Sequence, residues 1–485
     1  MGGVSNPDSG ILAASVGCAL SGSETPPTIF LVTNRSLSSP RRVILPLAIV
    51  FVVAAVAASL ANAATYEWAW NQRRFSPWQP TPDGVRPRGW VDRLPIVGWL
   101  RLRRDAGALG RGFWVRPMAV ELLFAAAMAA LCWWEVDRQG LLAGQIAPLI
   151  AAPPEGWLWS TFVLHFVLSW LMLVASLIDL DEKTIPDEIT VPGTLLGLVL
   201  ATLLPMGLLP NVEERDLRPT TGVALEGVDG RQLVGPFAPV WLETTHVAAP
   251  NDWPVSLEGG PNNHRSLLLG LGCFGLWCFA LTPRIWRTRH GVLQGLGMLL
   301  QRVGRELVRR PLREILILGV LGVTMAWFTG GDAWRGLLSA LVGMIVAGGM
   351  VWAVRIVGSL ALGKEAMGFG DVTLMMMVGA FLGWQAGLLV FFLAPFAALV
   401  IGVLQLVLRR DDVIPYGPFL CLGVSFVVVR WADVWPRAEG LFGMGTVLPA
   451  VLIICLLLLG VLLAIWRQFK LRVLGMSEDW ADEDA

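Results

Sequence analysis

The chain has 485 residues, of which 55% are hydrophobic and only 15% are Asp, Glu, Lys or Arg, and its mean hydropathy is +0.62. A soluble protein carries about 25% charged residues, so this composition cannot furnish a water-facing surface and excludes a string of soluble domains. The 37 basic and 37 acidic residues cancel to a net charge of +0, without the basic excess of a nucleic-acid-binding chain.

In chain order, residues 1–42 are polar and rich in Ser, Gly and Pro and read as a disordered tail. Apolar runs long enough to approach a bilayer core of about 30 Å follow at about 43–64, 117–134, 157–178, 188–208, 265–283, 314–328, 336–360, 372–384, 386–408, 419–433 and 444–466. They predict an all-α fold, a polytopic integral membrane bundle of about 9–11 transmembrane helices. The expected organisation after the tail is N-terminal spans with a loop at 43–134, a helix pair at 157–208, an insert at 209–264 and a second helix pair with a basic loop at 265–335. A core at 336–433 and a further span with an acidic tail at 434–485 complete it. The insert carries Asp229-Gly230, a dipeptide favoured in tight hairpin turns.

Arginines set the expected orientation. The loop 65–116 holds Arg73, Arg74, Arg86, Arg88, Arg93, Arg101, Arg103, Arg104, Arg111 and Arg116, and the loop 284–313 holds eight more; the loop 135–156 has Arg138 alone. The positive-inside bias makes both rich loops cytoplasmic, the insert 209–264 extracytoplasmic, the N-terminus external and the C-terminus internal. Within 284–313, Val292, Leu293, Leu296, Leu299, Leu300 and Val303 recur beside Arg302, Arg305, Arg309 and Arg310. This spacing reads as an interfacial amphipathic helix or as a docking surface.

The six cysteines, Cys18, Cys132, Cys273, Cys278, Cys421 and Cys455, form no CxxC pair, and the four histidines lie in separate segments. Neither a metal site nor His-based catalysis is expected. The chemistry therefore falls to carboxylates. Asp179, Asp181 and Asp187 crowd the cytoplasmic end of the span 157–178, and Gly368-Phe369-Gly370-Asp371 opens the span at 372 on the same side. Two acids at one membrane surface can share a proton and activate water for peptide hydrolysis. Asp187 and Asp371 also stand where an Asp commonly caps a helix. A third reading is a transporter or channel in which Asp179 and Asp371 bind a cation or relay protons.

Three blocks, Asp179 with Pro186-Asp187, then Glu365 and Met367 with Gly368-Phe369-Gly370-Asp371, then Ile414-Pro415-Tyr416-Gly417-Pro418-Phe419, together resemble the type IV prepilin peptidases, the GxGD aspartic proteases of pilus and type II secretion systems. Asp92-Arg93-Leu94-Pro95-Ile96-Val97-Gly98-Trp99-Leu100 with Arg116-Pro117 and Val120-Glu121-Leu122-Leu123 is similar to that family's cytoplasmic N-terminal domain. The resemblance implies a catalytic pair at Asp179 and Asp371, with Asp187, Glu365, Gly368 and Gly370 in support. It implies an endopeptidase in the inner membrane that removes leader peptides from prepilins or pseudopilins at the cytoplasmic face. No cofactor is required, and S-adenosylmethionine enters only if a methyltransferase activity is retained. The partners implied are the substrate and the lipid bilayer, with no nucleic acid. The chain departs from the family in Thr373 after the GxGD block, in extra spans and a long insert, and in a loop 65–116 without the cysteines that hold zinc in bifunctional members. That loop is expected to be held instead by Trp68, Trp70, Trp78, Trp90, Trp99 and Trp114. Presenilin-type proteases also carry a GxGD block, but their tyrosine-aspartate partner motif is missing here.

Overall fold

The computed structural model describes residues 40–71, 75–81, 85–142, 155–215, 253–282, 312–408 and 415–473, with 225–226, 232–233, 244–248, 304–305 and 310. Of the expected tail 1–42, residues 1–39 lie outside the described residues, as do the amphipathic pattern in 284–303 and the acidic tail after 473, while 40–42 are corrected to the first turn of α1. Each of the eleven expected spans meets a helix: α1 (Pro40–Trp68), α3 (Val115–Cys132), α4 (Glu155–Glu182), α5 (Asp187–Leu203), α6 (His264–Ala280), α7 (Leu312–Thr329), α8 (Gly331–Leu362), α9 (Phe369–Leu382), α10 (Trp384–Leu408), α11 (Gly417–Val429) and α13 (Val447–Val473), with the short α2 (Val97–Leu102) in the first loop. Among the described residues seven helices are long and apolar enough to cross a membrane, or eight if a bent pair is one span. The remaining runs are helices of 13 to 17 residues.

The shortness of α9 has a packing reason. Every residue from Asp371 to Leu382 is buried, because α9 is enclosed by α5, α8 and α10, so its length answers to neighbouring helices and not to bilayer thickness. The expected span 419–433 is corrected by a bend of 96° between α11 and α12 (Trp431–Phe442). The amphipathic α12 stacks Trp431 on Trp435 at 5.2 Å and Trp435 on Phe442 at 5.7 Å. The two indoles donate to Pro210 O at 2.6 Å and Asn211 Oδ1 at 2.7 Å. An aromatic helix turned off the bundle axis suits a membrane interface.

In the insert, strands 211–215 and 244–248 pair, and 225–226 runs antiparallel to 232–233 with Leu225 opposite Leu233. The last two strands flank the expected turn at Asp229-Gly230, which itself lies outside the described residues.

At the N-terminal side, Ala54, Ala55, Ala58 and Ala61 bury a small-residue stripe of α1, and α1 packs on α3. The first loop is anchored by carboxylates. Buried Glu121 accepts from the Ile96 N–H at 2.5 Å, Trp99 Nε1 at 2.8 Å and Asn62 Nδ2 at 3.3 Å. Buried Asp92 faces Arg101 and Arg104 at 3.4 Å, and Asp105 pairs with Arg88 at 2.8 Å. The expectation that six tryptophans hold this loop is corrected in detail. Trp99 is 1% exposed, Trp78 donates to Ser59 Oγ and lies under Arg93, and Trp114 lies under Arg103, whereas Trp70 is 91% exposed and Trp68 and Trp90 also face outward.

Four turns above Asp179 on α4, His165 Nδ1 meets Glu135 Oε1 at 2.6 Å, both side chains being fully buried. Glu135 is brought there by a wide π-turn at Trp133–Asp137 that ends α3. His165→Leu or Glu135→Leu alone strands a polar group in an apolar surround, and each is expected to cost about 3 kcal/mol. Melting in detergent should report that loss, with the double replacement costing less than either single one.

Candidate active site

Asp179 lies in the last turn of α4 and is 3% exposed. The helix closes just beyond it: Lys183 takes a left-handed conformation (φ 57) and its N–H bonds to Asp179 O at 2.8 Å. Successive positions around a helix diverge by about 100°, so the three acids of this turn part company. Asp179 turns into the bundle. Asp181 turns outward onto Arg116, with contacts of 2.6 and 2.9 Å. Glu182 accepts the backbone N–H groups of Trp70 and Asn71, each at 2.6 Å, and thereby ties the end of α1 to the end of α4.

Asp371 lies in the first turn of α9 and is 8% exposed. It stands within electrostatic reach of Asp179, so the structure brings the two acids of the expected pair together. The capping alternative does not hold, since Pro186 and Gly368 occupy the cap positions of α5 and α9. Asp187 is exposed on the first turn of α5 and stays out of the buried pair; an acid there complements the helix N-terminus.

Glycines let the three motif blocks close on one another. The Gly417 N–H, at the start of α11, donates to Asp179 Oδ2 at 3.1 Å, and a Cβ on Gly417 would overlap that oxygen. A Cβ on Gly370 would stand 2.9 Å from Ile185 Cβ. Ile185 is thus wedged between Gly370 and Gly417 and fixes the spacing of the acid-bearing segments. Tyr416 precedes α11 within electrostatic reach of Asp371; burial first, and that charge second, push its phenol up to about 12. It remains a protonated donor at any neutral pH. Thr373 is buried and donates from Oγ1 to Gly370 O at 3.1 Å, steadying the same turn.

Glu365 is 64% exposed and paired with Arg355 of α8. Arg355 Nε also donates to Met367 O at 2.8 Å, and its guanidinium lies 5.6 Å from the Phe369 ring centre. Neither Arg355 nor Gly417 is assigned a role by sequence reasoning. The first had a signal, as the only charge in the span 336–360, and the second stands in the Pro415–Phe419 block.

Residues 166–213 and 310–403 match the type IV leader peptidase family. Both acids fall within these two segments, and the resemblance read from the motifs is borne out. A curated prepilin leader peptidase/N-methyltransferase from Aeromonas salmonicida (strain A449) is 34% identical over 106 residues, 21% of this chain and 34% of the relative. The Pseudomonas putida protein of the same name is 33% identical over 116 residues, 23% of this chain and 39% of the relative. One from Pectobacterium carotovorum subsp. carotovorum is 29% identical over 125 residues, 24% and 45% of the two chains. The chain thus spans between a third and a half of the length of these relatives. No solved structure matches.

The loop 65–116 lacks the ligands of the zinc site of bifunctional members: it contains no Cys and no His, its Asp92 and Asp105 are engaged by arginines and the Gly89 amide, and among the described residues no group of three or more His, Cys, Asp or Glu could hold a metal.

Proposed function

We propose that the chain is an aspartic endopeptidase of the cytoplasmic membrane that removes leader peptides from prepilins or pseudopilins at the cytoplasmic face. The observation that carries this reading is the buried pair formed by Asp179 and Asp371, with the Gly417 amide donating to Asp179. Asp179, oriented by that amide, carries the charge and takes a proton from water, while protonated Asp371 donates to the scissile carbonyl oxygen. The water oxygen adds to the carbonyl carbon. The C–N bond then breaks, and the amine departs with the proton that the pair returns to it. The reaction needs no cofactor. S-adenosylmethionine would enter only with a separate methyl transfer to the new N-terminus.

Both acids lie at helix ends, where a substrate anchored by its own apolar helix can present a leader at the membrane surface. Sharing one bilayer raises the effective concentration of the two partners, so weak leader recognition suffices. A carrier would call for acids near the bilayer midplane, which disfavours the transport reading.

Co-expression with a candidate prepilin tests the activity: the reading expects a product shortened at the leader junction, and an unprocessed precursor counts against it. The orientation is tested by cysteines introduced near Gly89, Lys364 and Asp229. The first two should label only from the cytoplasmic side and the third only from outside. Opposite-side labelling near Gly89 and Lys364 would contradict a common surface for the two acids.

A further inference from the structure

We propose that Arg355 is a positioning residue for Asp371, and that Glu365 serves the site only as the counter-ion of Arg355; this rests on the peptidase reading above. Arg355 is the only charged side chain in the second two-thirds of α8. A guanidinium so placed in an apolar helix is costly unless its donors are engaged. Here its hydrogen bonds, ion pair and ring contact all go to the connection after α8 and the first residue of α9, positions 365, 367 and 369. Nε donates to Met367 O at 2.8 Å, the guanidinium pairs with the Glu365 carboxylate, and its carbon lies 5.6 Å from the Phe369 ring centre. One turn further along α8, Ser359 Oγ accepts the Ala366 N–H at 3.1 Å. The connection is therefore stapled to α8 at residues 365, 366, 367 and 369, directly before the turn that carries Asp371.

The chemistry favours arginine specifically. Its planar fork holds donors at fixed angles, so Nε can bond a carbonyl while a terminal nitrogen bonds a carboxylate, and the plane can still lie against a ring. A lysine ammonium keeps the charge but cannot hold all three partners in one geometry. Glu365 is 64% exposed on its side chain and directed to Arg355, not into the buried pair. An exposed ion pair adds little by itself, so the effect of Glu365 is expected to pass through the arginine it orients.

The test combines kinetics with a readout independent of cleavage. Arg355→Met is expected to lower kcat by roughly 10- to 100-fold with KM little changed, because a misplaced acid loses transition-state stabilisation while leader binding is untouched. Arg355→Lys should fall between wild type and Arg355→Met. Glu365→Gln should cost about tenfold or less in the wild-type background and nothing further beside Arg355→Met. Alongside, the cysteine introduced by Ala366→Cys is alkylated, and its labelling is followed on the mapped peptide. Labelling should be faster in Arg355→Met than in the Ala366→Cys parent, with Arg355→Lys intermediate. Unchanged labelling in both variants, or a full additional loss from Glu365→Gln beside Arg355→Met, would overturn the proposal. If the parent cleaves no prepilin the peptidase reading fails instead, and the labelling rates still decide whether Arg355 holds the connection.

Discussion

Asp179→Asn and Asp371→Asn should each reduce leader removal by about 10³-fold or more, with the double variant little worse than either single one, because two groups that share one proton act as a unit. Each substitution keeps the size of the side chain and removes either the seat of the charge or the donor. Both acids are buried at helix ends, and amides of the same shape should leave the packing of Ile185 and Gly417 intact. Membrane levels of the variants are therefore expected to match wild type, and prepilin processing in the same cells measures the loss. Asp181→Asn is the internal comparison. Its carboxylate faces Arg116 at the surface, and an exposed pair contributes at most about 1 kcal/mol, so processing should fall only modestly.

Gly417→Ala carries the second large effect. The added methyl would overlap Asp179 Oδ2 and meet Ile185 Cδ1 at 3.0 Å, and the carboxylate that must move is the one held by the Gly417 N–H. A shift of about 1 Å in a reacting group can cost 10²-fold, so a loss of about that size is expected in kcat. Gly402→Ala on α10 is the matched control. A Cβ there meets nothing within 4 Å, so the wild-type rate is expected; equal rates for the two glycine variants would contradict the role given to Gly417.

The helical bundle was legible because spans announce themselves through uninterrupted apolar runs, and each run does meet a helix. What hydropathy could not convey is direction. Trp431 and Ala432 follow Arg430 closely enough that hydropathy runs one span to 433, and the 96° bend that sets α12 apart leaves no mark in composition. Nor does hydropathy distinguish a lipid-facing helix from one enclosed by protein: α9 and α13 are both apolar, yet α9 is buried from Asp371 onward while the most apolar window of α13 buries none of its residues. The acid pair was visible only as separate motif blocks. Nothing in local spacing says that Asp179 and Asp371 meet; Gly370, Ile185 and Gly417 bring that about through long-range packing. Arg355 stands out in the sequence as the only charge of the span 336–360, but its role depends on partners at 365, 367 and 369 that no local pattern reveals. The tryptophans of the first loop were overvalued as anchors, since burial separates Trp99 from Trp70 and composition does not.

The most direct measurement is the mass spectrum of a purified prepilin incubated with the purified chain in a lipid nanodisc. The peptidase account predicts two fragments, leader and mature pilin, whose masses sum to that of the precursor plus one water, and no fragments with Asp371→Asn. An intact precursor beside folded wild-type protein, or equal cleavage by Asp371→Asn, would contradict it.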